Sequence, residues 1–284
     1  MNTNLKNKGI LALLVAMFML APLCNANAQA TEDDFGIWAT VEASKKINKK
    51  FKVVGDVEFR TYDFVNNIER TAIGVKFEYK ILKWLKSNVG YQFHYKHNPE
   101  ETSLKDAREG LNEMGEMDFL YDKNVDHDYW VFRNRFYATI SGEYKIGRFE
   151  FGLRERLQYT RTNSAWTDET KYRWYTQIDD EGYDLPSIYE VTTDPEFKET
   201  KHNLTLRSRV NVKYDIPNCK VNPFASVELY TRLDEWKGYD KLRYRLGASY
   251  KINKDNSRSL YYLFEDVNGE ANGHAIGFEY SIDL

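Results

Sequence analysis

The sequence has only two cysteines, Cys24 and Cys219, among its 284 residues. If Cys24 leaves with an N-terminal leader, one cysteine remains and no internal disulfide is expected. Beyond residue 30 there is no apolar run long enough to cross a membrane as a helix. An excess of basic charge is also lacking, since the formal net charge is -3 at pH 7. This balance gives no support to nucleic-acid binding.

Residues 1–30 have the composition of a secretory signal peptide. Lys6 and Lys8 precede an apolar stretch over 10–23, and Ala28-Gln29-Ala30 forms a small-x-small cleavage site. The alternative is a lipoprotein signal ending at Cys24, but Leu23 stands where a small residue is expected. We therefore predict a signal peptide over 1–30 and a single domain over 31–284.

The mature chain alternates apolar and polar residues with a period of two. Phe51, Val57 and Phe59 share one parity, while Glu58 and Arg60 share the other. Averaging cancels such a pattern, which accounts for a mean hydropathy of -0.66. We count eleven segments of this kind, near 34–44, 51–60, 70–80, 88–96, 130–143, 149–159, 204–213, 221–233, 240–251, 258–266 and 276–284.

Every second connection between these segments is a short turn. Two of the connections in between, 97–126 and 163–198, are long, whereas the two nearest the C-terminus are not. This asymmetry favours an outer-membrane barrel over a soluble β-sandwich. The aromatic content of 15% suits the interfacial girdles of such barrels. We predict an all-β fold, a transmembrane antiparallel up-and-down β-barrel of about 10–12 strands located in the cell outer membrane.

Two details do not fit the simple pattern. Eleven segments conflict with the even number expected of single-chain bacterial barrels. Either the 34–44 segment lies in the lumen, or a strand has been missed or over-split. In addition, Glu155 falls on the parity that should face lipid.

Several stretches, taken in order, resemble the Bacteroidota outer-membrane barrels of domain-of-unknown-function family 2490. They are Phe35-Gly36-Ile37-Trp38, Glu58-Phe59-Arg60, Trp84 to Tyr95, Leu153 to Tyr159 and Leu242 to Tyr250. The resemblance covers nearly all of the mature chain and implies a Gram-negative outer-membrane barrel. It implies no activity for any residue.

The inward parity carries most of the charge. The lumen candidates are Arg60, Arg133, Arg135, Arg154, Arg156, Arg207, Arg209, Glu58 and Glu143. Paired charges that fill a narrow barrel are the favoured interpretation. A basic constriction that selects anions is the alternative.

The second long connection holds four aromatic residues. Trp166, Tyr172, Trp174 and Tyr175 are candidates for capturing an extracellular ligand of unknown identity, because exposed aromatics often anchor ligands. Extensions of strands above the membrane would use the same residue types.

Metal binding and catalysis have weak support. His97, His127 and Asp128 flank the first long connection, but no close-spaced ligand motif accompanies them. Ser208 and His202 share one strand face, yet six residues of strand separate them by about 20 Å. We therefore assign no catalytic residue, no metal and no cofactor.

We expect a non-enzymatic protein, either a small channel or a structural component of the envelope. The alternatives are a surface enzyme that acts on lipid or glycan and a binding protein that uses its loops. The expected partners are outer-membrane lipid and the barrel assembly machinery, which would recognise the final strand over 276–284.

Overall fold

The computed structural model describes residues 34–112, 114–181, 184–234, 239–269 and 271–284. The predicted signal peptide lies outside the described residues. Within these ranges, no helix has the length and apolar character needed to cross a membrane. The strands are β1 (Asp34–Lys46), β2 (Phe51–Tyr62), β3 (Asn67–Lys80), β4 (Leu85–Asn98), β5 (Glu101–Leu111), β6 (Met117–Asp126), β7 (Tyr129–Ile146), β8 (Phe149–Thr162), β9 (Ala165–Ile178), β10 (Asp184–Lys198), β11 (Lys201–Tyr214), β12 (Val221–Arg232), β13 (Tyr239–Lys251), β14 (Asn256–Val267) and β15 (Gly273–Asp283).

Eleven of these strands close into one barrel, in the order β1-β15-β14-β13-β12-β11-β8-β7-β4-β3-β2. All pairs in the barrel are antiparallel except the pair that closes it. The predicted all-β barrel is therefore confirmed, and its strands are the eleven alternating segments of the sequence. A sandwich of two separate sheets is wrong for this chain.

The barrel closes through a parallel pair. β1 runs alongside β15, with Asp34 opposite Gly273 and Ser44 opposite Asp283. An up-and-down barrel with an odd number of strands has first and last strands that run in the same direction, so parallel closure is a geometric necessity. Both explanations offered for the odd count are therefore wrong. The 34–44 segment is a strand of the barrel wall, and the count of eleven stands.

The two faces of the wall differ as the alternation predicts. Outward side chains are apolar and exposed, as at Val57 (55%), Ile73 (60%) and Phe136 (51%). Inward side chains include charged groups that are nearly covered, as at Arg70 and Arg207, each 8% exposed. An apolar outside around a polar inside is the arrangement of a barrel that sits in lipid.

The two ends of the barrel differ in their connections. One end, here called the turn end, carries short turns; between β7 and β8 the chain turns over Gly147 and Arg148 alone. Gly147 has φ of +59°, a left-handed conformation that glycine adopts without steric cost. The opposite end, here called the hairpin end, carries the two long connections.

Both long connections form β-hairpins, where the sequence was interpreted as loops. β5 with β6 and β9 with β10 combine into a second, four-stranded sheet in the order β10-β9-β6-β5. The two hairpins join where Lys123–Asp126 pair with Glu169–Tyr172. The outer strand β10 carries Pro186 and Pro195, which lack the N–H that another strand would need for pairing.

Glu155 is an exception on the outward face. It lies near the middle of β8, opposite Ile140 on one side and Ser208 on the other. Ser208 Oγ donates a hydrogen bond to Glu155 Oε2 at 2.6 Å. A carboxylate in contact with lipid hydrocarbon is unfavourable, and this single hydrogen bond offsets part of that cost.

The parallel pairing of β1 with β15 makes a testable prediction. In a Cys219→Ser background, the pair Ile37→Cys and Ile276→Cys should form a disulfide on oxidation, because these residues are direct partners in the β1–β15 register. The product is detected by its faster migration on a denaturing gel without reductant. The pair Ile37→Cys and Tyr280→Cys is the control and should stay unlinked, because these positions would be opposite each other only if the two strands ran antiparallel over the same residues. Cross-linking of the control in preference to the first pair would contradict the parallel register.

A second prediction concerns Glu155. Glu155→Leu should raise the free energy of unfolding by about 1–2 kcal/mol, since an apolar side chain replaces a charge that faces lipid. Ser208→Ala should lower it by about 1–3 kcal/mol, because the carboxylate loses its donor. Urea titration of the folded, heat-modifiable gel band measures both changes. In a Glu155→Leu background, Ser208→Ala should have little effect, and an unchanged loss there would refute the coupling.

Candidate functional site

A cavity of about 760 Å³ lies in the lumen. Its lining extends from Arg232 and Asp240, near the hairpin end, to Lys213 and Ser281, near the turn end. All nine lumen candidates from the sequence lie on its wall, where the period-two alternation places them. The cavity therefore follows most of the height of the barrel.

Positive charge predominates on the cavity wall. Fifteen lysine and arginine side chains line it, against nine aspartate and glutamate side chains. The whole chain has the opposite balance, with a formal net charge of -3. The excess of cations is thus a property of the lumen and not of the protein as a whole.

Glu228 on β12 is the most enclosed acid of the lumen, with 1% of its surface exposed. Arg207 binds it at 3.0 Å, Arg154 contacts the same oxygen, and Arg243 Nη1 lies 3.9 Å from the other oxygen. These arginines belong to β11, β8 and β13. A charge this deeply covered is tolerated because it is paired.

Two further carboxylates are held in the same way. Glu58 accepts from Arg60 at 2.8 Å and from Arg70 at 2.9 Å. Glu265 binds Arg243 and lies 3.4 Å from Lys241 Nζ. In this part of the lumen the charges pair and fill space, as the favoured interpretation expected.

Aromatic rings take part in the same network, and the sequence interpretation missed them. The guanidinium of Arg60 lies 3.4 Å from the ring centre of Trp38, and that of Arg243 lies 4.8 Å from it. Tyr230 similarly contacts Arg207 at 4.5 Å. Stacking of guanidinium groups on aromatic faces is favourable. The sequence did indicate such rings, because Trp38 alternates with the outward residues Ile37 and Ala39 and therefore shares the inward parity of the charged residues.

Four lumen arginines have no carboxylate partner within 4.0 Å among the described residues. Hydrogen bonds to neutral groups serve three of them: Arg133 to Thr162 at 3.0 Å, Arg156 to Thr139 at 3.1 Å, and Arg135 to Gln92 at 3.4 Å. We call this set the arginine strip, which consists of Arg133, Arg135, Arg156 and Arg209.

The arginine strip occupies one side of the barrel. Its members lie on the adjacent strands β7, β8 and β11. The three carboxylates bound by arginines, Glu58, Glu228 and Glu265, lie on β2, β12 and β14. Ion pairs with carboxylates therefore account for only some of the lumen arginines, and unpaired positive charge remains on the β7–β8–β11 wall.

The three residues weighed as metal ligands, His97, His127 and Asp128, do not all converge. His97 Nε2 bonds to Asp128 at 2.8 Å and its Nδ1 bonds to Tyr62 at 2.8 Å, whereas His127 contacts Glu100 and Thr170. The hydrogen bond from His97 holds the pKa of the Asp128 carboxyl below its usual value. His202 similarly pairs with Tyr159 at 2.6 Å and not with Ser208.

A different acidic group lies at the base of the four-stranded sheet. Carboxylate oxygens of Asp126, Glu169 and Glu196 lie within 4.8 Å of one another. Lys198 Nζ binds Asp126 at 2.7 Å and Glu196 at 2.5 Å. An internal ammonium thus already supplies the positive charge that this group attracts.

The four aromatic candidates of the second long connection do not form one exposed surface. Trp166 is 67% exposed and Tyr175 is 49% exposed. Trp174, in contrast, is 7% exposed and packs on Tyr189. The expectation of an exposed ring is wrong for Trp174, because β9 and β10 pair there and cover it.

Similar proteins are found by architecture more than by sequence. The solved structures include a NanC porin (12% identity, TM-score 0.40, covering 85% of this chain and 91% of that one). They also include the translocator domain of the autotransporter NalP from Neisseria meningitidis (11% identity, TM-score 0.30, 95% and 94%). A third is the CymD monoaromatic hydrocarbon channel (9% identity, TM-score 0.28, 84% and 85%). At these identities the likeness is one of fold alone.

No curated protein matches the chain. A family model, described as protein of unknown function (DUF2490), matches residues 35–275. This match covers most of the chain and agrees with the resemblance seen in the sequence. The chain therefore belongs to the DUF2490 family.

Proposed function

We propose that this protein is a narrow, anion-selective channel of the outer membrane. The observation that carries the proposal is the cavity along the lumen, whose wall holds more cations than carboxylates. Rings of basic side chains favour the passage of anions through a pore. The arginine strip supplies four arginines that have no carboxylate partner within 4.0 Å among the described residues.

The size of the barrel supports a narrow passage. Barrels of about eight strands are filled by their own side chains, whereas barrels of 16–18 strands leave a wide aqueous channel. Eleven strands lie between these cases. The ion-paired side chains around Glu228 and Glu265 also occupy part of the lumen and restrict the passage further.

The proposed orientation places the hairpin end outside the cell and the turn end in the periplasm. Outer-membrane barrels have short periplasmic turns and longer extracellular loops. The outward apolar face then contacts outer-membrane lipid, and the barrel assembly machinery inserts the chain through β15. A purely structural role in the envelope and a surface enzyme acting on lipid or glycan are the competing functions.

Labelling with a membrane-impermeant thiol reagent tests the orientation. On intact cells, Trp166→Cys in a Cys219→Ser background should react, because position 166 is exposed at the hairpin end. The native Cys219, exposed in a turn at the other end, should react only after the outer membrane is opened. The reverse pattern would invert the proposed orientation.

Planar-bilayer recording tests the function. The purified protein in a potassium chloride gradient should give a small conductance whose reversal potential lies toward that of chloride. The double variant Arg135→Gln, Arg156→Gln should shift the reversal potential toward zero, because two uncompensated cations are removed from the wall. Neither residue holds a carboxylate, so the variant should fold normally.

The matched control removes cations outside the lumen. Arg148→Gln, Arg161→Gln makes the same change of charge, at a turn and on the outward face of β8. This variant should keep the reversal potential of the unmodified protein. Cation selectivity in the unmodified protein would overturn the proposal, and the absence of any conductance would favour the structural role.

A further inference from the structure

We propose that the arginine strip binds an extended oligoanion, that is, a small molecule carrying several phosphate or carboxylate groups, along the β7–β8–β11 wall. This inference rests on the proposed channel function and names the class of solute that the channel takes. It assigns the binding to Arg133, Arg135, Arg156 and Arg209.

The strip has the length for more than one anionic group. In the strand register, Arg133 lies opposite Thr162 and Arg135 opposite Thr160, while Arg209 lies opposite Arg154. The strip thus follows β8 from position 162 to position 154, a distance of about 26 Å at ~3.3 Å per residue. A monovalent inorganic ion contacts only a fraction of this length, whereas a chain of charged groups contacts several arginines at once.

The strip also has unused hydrogen-bond donors. Among the described residues, the Nε groups of Arg135 and Arg209 are covered and have no acceptor within hydrogen-bond distance, as is also the case for Arg60, Arg154 and Arg245. A covered donor without a partner is costly, and native proteins rarely keep one without a reason. Phosphate and carboxylate oxygens are the acceptors that match guanidinium groups best.

Neutral side chains position the arginines of the strip without neutralising their charge. Arg156 stacks on Tyr137, with 4.2 Å from its guanidinium to the ring centre. The Arg207 guanidinium donates to Gln158, which in turn donates to Thr160, the residue opposite Arg135. Tyr137, like the neutral hydrogen-bond partners of Arg133 and Arg135, positions its arginine without neutralising the charge.

The best-covered acids of the lumen are already paired. Glu228, the neighbour of Arg209 in the β11–β12 register, is already bound by Arg207 and Arg154. Glu58 and Glu265 are bound by cations of other strands, so these acids do not neutralise the strip. The cavity of about 760 Å³ falls within the range of small-molecule sites, about 300–1,000 Å³. An oligoanion therefore has both the space and a single wall along which to lie.

Block of the chloride current tests the proposal. Orthophosphate, tripolyphosphate and citrate are added to the purified channel in a planar bilayer, and the concentration for half-block is measured. Tripolyphosphate or citrate should block at a concentration about ten-fold or more below that of orthophosphate, since further groups meet further arginines. Which of the two blocks better identifies the preferred group, phosphate or carboxylate.

The variant Arg135→Gln, Arg209→Gln should raise the half-block concentration of the oligoanion about ten-fold or more, with little change for orthophosphate. Arg161→Gln, on the outward face, should change neither value. Equal potency of orthophosphate and both oligoanions in an anion-selective channel would overturn this inference and leave the channel proposal intact.

Calorimetry of the detergent-purified protein with tripolyphosphate separates the two proposals. Binding that weakens in Arg135→Gln, Arg209→Gln, in a protein that carries no current, would retain the site while overturning the channel. Absence of binding together with a normal chloride current would overturn the site alone. Heat-modifiable gel mobility confirms that each variant tested is folded.

Discussion

The interior of this barrel depends on how Glu228 is held. Three arginines from β8, β11 and β13 converge on a carboxylate carried by β12. Arg243 binds Glu265 of β14 as well, so the contact joins five strands into one electrostatic brace. Removing one partner from such a group leaves a covered charge uncompensated, which is far more costly than losing a surface ion pair. The three carboxylates bound by arginines lie on β2, β12 and β14, whereas the four arginines without a carboxylate partner lie on β7, β8 and β11.

Much of the barrel could be predicted from the sequence because period two is a property of each strand alone. The eleven segments, their inward and outward parity and the exception at Glu155 all rest on local alternation. The second sheet could not be predicted in this way. β5 and β10 each contain a register shift, near Leu104 and Leu185, which interrupts the alternation that reveals a strand. The parallel β1–β15 pair follows from the count of eleven, but the even number expected of single-chain barrels argued against that count.

The same limit applies to the candidate site. Parity places Arg135 and Arg207 in the lumen equally well, and nothing in their local sequence distinguishes them. Their roles differ because Arg207 lies next to the strand that carries Glu228, whereas Arg135 lies opposite Thr160. Which acid meets which base is decided by position around the circumference, and that position follows from the closure of the whole barrel. Trp38 was missed for a related reason, since an aromatic ring on the charged parity finds its role only once arginines from β2 and β13 reach it.

The parallel pairing of β1 with β15 has a practical consequence for attaching other proteins. In a barrel with an even number of strands, both ends of the wall emerge on the same side. Here β1 starts beside Gly273 at the hairpin end, whereas β15 finishes beside Ser44 at the turn end. A polypeptide fused ahead of Asp34 is therefore displayed next to the two long hairpins, and one fused after Leu284 is displayed on the opposite side. The molecule can serve as a two-faced scaffold without circular permutation.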